Sequence, residues 1–213
     1  MKISISIMSH HSRKKYALAL YHKLDSMTFT CVTPVFDKNN SEWDNGVEAL
    51  QLHDDSDYHV VIQDDAIIGN NFYVNLEAAL KSLPQKSLLS LYLGQGRPSK
   101  YHVISAFNKA INSNSSFISH TKLLWGVCIA IPTKDIELIL EHVKRYSKLQ
   151  YDNRIGTYYR DIRKPIYYTT ISIVDHDDSL PSLTGHHTNL KRVAHKYSDE
   201  LLVFNSKIVE MAV

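Results

Sequence analysis

The strongest constraint on this chain is a hydrophobic period that changes back and forth between strand-like and helix-like. Ile3, Ile5 and Ile7 alternate with polar residues, the period of a strand with two different faces. From Ser12, a residue suited to an N-cap, the period lengthens, and Ala17, Leu20, Tyr21 and Leu24 line one helical face. Thr28 to Phe36 is β-branched and aromatic, with Pro34 placing its end at a sheet edge. A helical stretch around Trp43, Val47 and Leu50 precedes the buried strand His59 to Gln63. Asn70 to Leu83 is the clearest helix, ended by Pro84, and Leu88 to Leu93 is another strand. Residues 108–117 are polar and turn-rich and read as a mobile loop or hairpin connection. Gly126 to Pro132 is a strand, Thr133 caps a helix with Ile136, Ile139, Leu140 and Val143 inward, and Ile166 to Val174 is the last strong strand.

Strands alternating with helices predict an α/β fold: a mainly parallel central sheet with helices on both faces, in a single domain spanning 1–213. Ligands of such sheets bind beyond the carboxyl ends of the strands. The segments following Met8, Ile62, Leu93 and Val174 are therefore expected to converge on one cleft.

With 44% hydrophobic and 22% charged residues in 213, the chain can bury an ordinary core, so disorder is not the default. No apolar run approaches the roughly 18 residues of a membrane span. The basic residues at the start follow the apolar stretch, so the start reads as a strand rather than a signal peptide. Cys31 and Cys128 lie in apolar runs and read as buried free thiols, which points to the cytoplasm, the host's if the protein is phage-encoded. Charge is segregated. Asp37 to Asp65 holds nine acids and one lysine, whereas Glu141 to Lys196 holds ten Lys/Arg and six acids. That division suits a site for both a cation and phosphates, although solvated faces produce it equally well.

The sharpest chemical signal is Val60-Val61-Ile62-Gln63-Asp64-Asp65-Ala66. A buried strand delivers two adjacent carboxylates to its end. Successive strand side chains point to opposite faces, so one aspartate can face the cleft while its neighbour braces the structure. Mg²⁺ or Mn²⁺ beside a nucleotide is usually held by one or two carboxylates, with water and phosphate completing the shell. A plain surface turn is the competing explanation, and Asp54-Asp55 and Asp177-Asp178 are further pairs.

The opening ISISIMSHHSR, the segment VVIQDDAII and the helix after it together resemble the nucleotide-binding half of GT-A glycosyltransferases. QDDA resembles their Asp-X-Asp-type motif, with Gln63 where an acidic residue often stands. The resemblance implies Asp65 as direct metal ligand and Asp64 in a donor-sugar or supporting role. Ser9, His10 and Arg13 then fall where base and phosphate contacts are made, with His11 in the same loop. LLWGVCIAIPTKDIELIL resembles the strand and helix beneath the sugars, with Trp125 and Gly126 at the mouth. The resemblance implies that Asp152, if the enzyme inverts, is the general base that deprotonates the acceptor hydroxyl, with a helix cap as the competing role. PSLTGHH resembles a closing segment that returns a metal ligand to the cleft, implying His186, with Asp175 and His176 as alternatives. On this resemblance residues 1–95 form the nucleotide-sugar-binding half and 96–213 the acceptor half.

The implied activity is transfer of a sugar from a nucleotide-diphosphate sugar, a UDP-sugar favoured, to an acceptor hydroxyl with Mn²⁺ or Mg²⁺. The acceptor is a saccharide or a hydroxymethylated DNA base. The DNA reading rests on Lys144, Arg145, Lys148, Arg154, Arg160, Arg163, Lys164, Lys191 and Arg192, interleaved with Tyr146, Tyr151, Tyr158 and Tyr159. A Rossmann dehydrogenase is excluded because SHHSR has no glycine, and a P-loop enzyme because GxxxxGK[ST] is missing. A metal-dependent phosphohydrolase or nuclease, and a non-catalytic nucleotide-sugar or nucleic-acid binding protein, are the alternative classes.

Overall fold

In the computed structural model, which describes residues 1–95, 100–181, 183 and 191–212, the alternation becomes a mixed α/β structure. The first half contributes β1 (Ile3–Ser9), α1 (Lys14–Asp25), β2 (Val32–Phe36), α2 (Glu42–Gln51), β3 (Tyr58–Gln63), β4 (Ala66–Ile68), α3 (Phe72–Ser82) and β5 (Leu89–Ser90). The second contributes α4 (Lys100–Asn112), β6 (Phe117–His120), β7 (Cys128–Pro132), α5 (Thr133–His142), α6 (Tyr151–Asp161), β8 (Ile166–Thr169), β9 (Val174–His176) and β10 (Ile208–Glu210).

Eight strands form one sheet in the order β10-β6-β8-β5-β7-β3-β1-β2. The pairings β1–β2, β1–β3, β5–β8 and β6–β10 are parallel, and β3–β7, β5–β7 and β6–β8 are antiparallel. Parallel pairs thus outnumber antiparallel ones by a single pairing. Strand β5 lies between β7 and β8, so the sheet interleaves strands from both sides of residue 95.

The period-two pattern explains the layering. Ile3, Ile5 and Ile7 of β1 and Tyr58, Val60 and Ile62 of β3 face one core, packed with Ala17, Leu20 and Leu24 of α1 and with α3. Met8 and Val61 face the other, against Ala49 and Leu50 of α2, Ile136 and Ile139 of α5, and Ile155 and Tyr159 of α6. Pro34 sits in the edge strand β2, where its missing N–H costs no ladder bond.

Several local expectations are corrected. Residues 108–112 are the end of helix α4, whose Val103, Ala106 and Ala110 are buried at helical spacing, and 117 begins β6. The polar residues between the apolar ones belong to the helix's outer face. Ser12 is not a cap: the His10 side chain accepts from the Ser12 N–H, and a short 3-10 turn precedes α1. Thr133 lies inside α5, with Pro132 at its N-cap position. Cys31 is exposed, while Cys128 is buried as expected. Among the described residues no helix is long and apolar enough to cross a membrane.

Candidate functional site

Register brings the first two expected segments together. Ile7 pairs with Ile62 and Met8 with Gln63, so β1 and β3 end level, and the Asp64 N–H donates to the Met8 carbonyl at 3.1 Å. Their ends open into a cavity of about 360 Å³. Its walls include Ser9, His10 and Arg13 after β1, Asp37 and Asn40 after β2, and Glu42 and Asn45 in the first turns of α2. Gln63, Asp64 and Asp65 lie at the end of β3, and His176 and Arg192 come from the second half.

The carboxylate pair is buried and heavily bonded. Asp64 Oδ2 accepts from the Ser9 hydroxyl at 2.7 Å and from the His10 N–H at 3.2 Å. Arg13, itself buried, donates from Nη1 to Asp65 Oδ2 at 2.7 Å and to Asp64 Oδ1 at 3.2 Å. Its Nη2 donates to the Pro181 carbonyl. His176 Nε2 lies 3.2 Å from Asp65 Oδ2. This last contact follows from a small two-stranded sheet, in which β4 pairs with β9 and Ala66 stands opposite His176. The Asp177 N–H closes the arrangement on the Asp65 carbonyl at 2.8 Å.

The two aspartates are tuned in opposite directions. Burial raises the Asp64 pKa above the ordinary carboxylate value, and its bonds to Ser9 and Arg13 do not fully offset this. Burial acts on Asp65 too, but His176 and Arg13 outweigh it and hold this carboxyl below the ordinary value. Two carboxylates and one guanidinium leave a formal charge of −1. Among the oxygens of the pair, Asp65 Oδ1 is buried and without a hydrogen-bond partner, and His176 Nδ1 is likewise unpartnered.

Asp152 is half-buried in the first turn of α6, one residue inside the helix rather than at the N-cap, which is Gln150. Its pKa is pushed up to about 6, chiefly by burial, with the charge of Glu42 adding to the effect and the Asn153 N–H opposing it. Asp152 does not line the cavity but is coupled through Glu42 to its wall. Gly126 explains how α6 comes so close. A Cβ at that position would lie 3.1 Å from the Tyr151 ring and 3.5 Å from the Asp152 Cβ.

Of the expected residues, Ser9, His10, Arg13, Asp64 and Asp65 are gathered at the cavity. Trp125 and Gly126 are not among its walls. Trp125 packs edge-to-face on Tyr92 and Tyr168, with ring centroids 6.0 and 6.3 Å apart, and Gly126 serves helix packing. His186 lies outside the described residues. The alternative His176 reaches the carboxylates, while Asp175 turns its Oδ1 to the backbone of His176 and Ala194. Sequence reasoning missed Asp37, Asn40, Glu42 and Asn45 as site residues, and it offered Arg192 as a DNA contact rather than as part of this cavity. These four were accessible in principle, since they follow the neighbouring strand β2.

No protein-family model matches the sequence, and no curated protein sequence matches it. Among solved structures the chain is similar to a glycosyltransferase involved in the glycosylation of the major capsid of PBCV-1. The similarity covers 78% of this chain and 80% of that one, at 11% identity and a TM-score of 0.39. Likeness at this level bears on neither activity nor substrate.

Proposed function

We propose that the chain transfers a glycosyl unit from a nucleotide-diphosphate sugar, a UDP-sugar favoured, to an acceptor hydroxyl. The observation that carries this reading is the cavity at the carboxyl ends of β1 and β3, where a buried carboxylate pair meets Ser9, His10 and Arg13. About 360 Å³ is within the range of small-ligand pockets, and its position is where open α/β sheets bind nucleotides. His10, with Asn40 3.2 Å from its ring nitrogen, forms a polar wall suited to a base or ribose. Asp64, held by three donors, is a fixed acceptor for sugar hydroxyls.

The residues fit a divalent ion in a limited way. Among the described residues no group of three His, Cys, Asp or Glu side chains is placed to hold one, so the chain alone does not build a cage. Asp65 does keep one unpartnered oxygen beside a net negative charge, and an ion held mainly by phosphates and water needs no more than one or two carboxylates. Asp65 is thus the residue that would hold Mn²⁺ or Mg²⁺, with His176 beside it, while His186, the ligand the resemblance implies, lies outside the described residues. Such an ion would neutralise charge on the departing diphosphate.

Asp152 is the general base in this reading. With a pKa near 6 it is ionised at neutral pH, yet more basic than an ordinary carboxylate. The acceptor is a saccharide in preference to DNA. Tyr151, Tyr158 and Tyr159 are buried, which withdraws them from base stacking, and Lys144, Arg160 and Lys164 pair with Glu141, Asp161 and Asp135. A hydrolase is less well supported, because Arg13 occupies the space between the carboxylates that hydrolytic metals would share. The test is UDP release from a panel of UDP-sugars with and without mono- and oligosaccharide acceptors. Acceptor-dependent release supports transfer, equal release without acceptor indicates hydrolysis, and no release from any sugar nucleotide contradicts the reading.

A further inference from the structure

On the other flank of α2 and α6, away from the carboxylate pair, a second cavity of about 450 Å³ is lined by Trp43, Val47, Leu140, Val143, Lys144 and Arg154. Its unusual member is Arg154, which is only 6% exposed. Nε donates to the Tyr146 carbonyl at 2.9 Å, and the guanidinium carbon lies 4.1 Å from the centre of the Trp43 ring. Among the described residues no carboxylate lies within ion-pair distance of it, although Arg13, the other buried arginine among them, has two. Burial pulls the Arg154 pKa down, with only the more distant charge of Asp44 opposing. Nη1 and Nη2 find no acceptor among the described residues and are not sealed from solvent, so this end of the guanidinium is open at the cavity wall, where water or a ligand accepts from it.

We propose that this cavity binds an oxyanion, phosphate or carboxylate, carried by the acceptor, with Arg154 as its bidentate partner. A guanidinium fork matches both groups geometrically, and Nε is already engaged, so the two Nη atoms remain for the ligand. Lys144 at the rim is already paired with Glu141, so recognition of the anion falls to Arg154, while Trp43, Leu140 and Val143 provide an apolar wall for the body that carries it. The site shares its helices with the transfer machinery: Glu42 precedes Trp43 in α2, and Asp152 lies two residues before Arg154 in α6. Assignment of the anion to the acceptor rests on the transferase reading, whereas the existence of the site does not.

The test uses the full chain, ¹⁵N-labelled, without nucleotide. The chain has two tryptophans, and Trp43→Phe identifies which indole N–H resonance belongs to Trp43. Inorganic phosphate, sodium glucuronate and potassium chloride are titrated at matched ionic strength. Saturable movement of the Trp43 indole by phosphate points to a phosphorylated acceptor, and by glucuronate to an acidic sugar. Either should weaken at least tenfold in Arg154→Gln and less in Arg154→Lys, with both variants checked for folding by their amide spectra. If Arg154→Gln does not fold, Arg154→Lys and the wild-type titration decide alone. No saturable movement with either anion, or movement equal to that from chloride, overturns the proposal. Because the reporter is Trp43 and no donor is present, failure here leaves the donor site untouched, and failure of donor binding leaves this result standing.

Discussion

Arg13 and Asp65, 52 residues apart in sequence, form a buried ion pair at 2.7 Å in the floor of the main cavity. The same Arg13 nitrogen reaches Asp64 at 3.2 Å, so one guanidinium balances two carboxylates that the end of β3 would otherwise leave in low dielectric. Removing one partner of a buried pair typically costs about 3–5 kcal/mol, because the remaining charge is uncompensated.

Arg13→Gln is therefore expected to destabilise the fold by roughly that amount at pH 7, measured by urea unfolding. The sign with pH follows from the shifts. Asp65 is held below its ordinary pKa, so its pairing contributes stability above the ordinary carboxylate range, and that stability is lost as pH falls through the depressed folded value. Asp64 is raised, so its burial favours the protonated form and penalises the fold as pH rises through the folded value. The deficit of Arg13→Gln relative to wild type should thus be largest at neutral pH and narrow as both carboxylates protonate. A deficit independent of pH would mean that Arg13 acts through packing alone.

Asp152→Asn separates catalysis from stability. As general base, Asp152 takes the acceptor proton, so transfer should fall roughly a hundredfold or more while donor affinity persists. Wild-type transfer should rise as pH passes through about 6. The stability effect runs the other way. A raised folded pKa gives stability that is complete below the ordinary value and is lost as pH rises through about 6, so the ionised residue penalises the fold at pH 7. Asparagine removes that penalty and is expected to stabilise by on the order of 1–2 kcal/mol, allowing for solvent screening. A variant that is less stable and fully active would make Asp152 a helix-terminal residue only.

How far the sequence carried the fold depended on period. β1, β3 and α3 were legible because their apolar residues repeat cleanly at two or at three to four, and the cavity lies where the segments after Met8, Ile62 and Val174 were expected to meet, whereas Gly94 and Gln95 after Leu93 are not among its walls. Helix α4 was obscured because Asn, Ser and Lys on its outer face imitate a turn-rich loop, while its inward alanines are weak signals. That Ser9, His10, Arg13, Asp64 and Asp65 share one cavity was legible because each lies within a few residues of a strand end. Trp125 packs on Tyr92 and Tyr168 away from this cavity, and local sequence does not distinguish an aromatic that lines a cleft from one wedged between two tyrosines. The contact of His176 with Asp65 depends on pairing between strands over a hundred residues apart, which only tertiary structure supplies.

Gly126→Ala tests whether that glycine contacts donor or merely admits α6. The added methyl would crowd the Tyr151 ring and press toward Asp152. Overpacking of this kind typically costs about 1–3 kcal/mol. The expected outcome is reduced transfer with unchanged UDP affinity, measured by calorimetry alongside the kinetics. Loss of UDP affinity at full stability would return Gly126 to the donor site.

The central claim, that a nucleotide-diphosphate donor sits on the carboxylate pair, is tested most directly by the thermal shift of wild type, Asp65→Asn and Asp152→Asn with UDP, Mn²⁺ and both together. A ligand bound only by the folded state raises the melting temperature in proportion to its affinity. UDP with Mn²⁺ should stabilise wild type and Asp152→Asn by more than either component alone, and Asp65→Asn should lose the extra shift while remaining folded. No stabilisation by UDP or any other nucleoside diphosphate at millimolar concentration, or an undiminished shift in Asp65→Asn, would contradict the account.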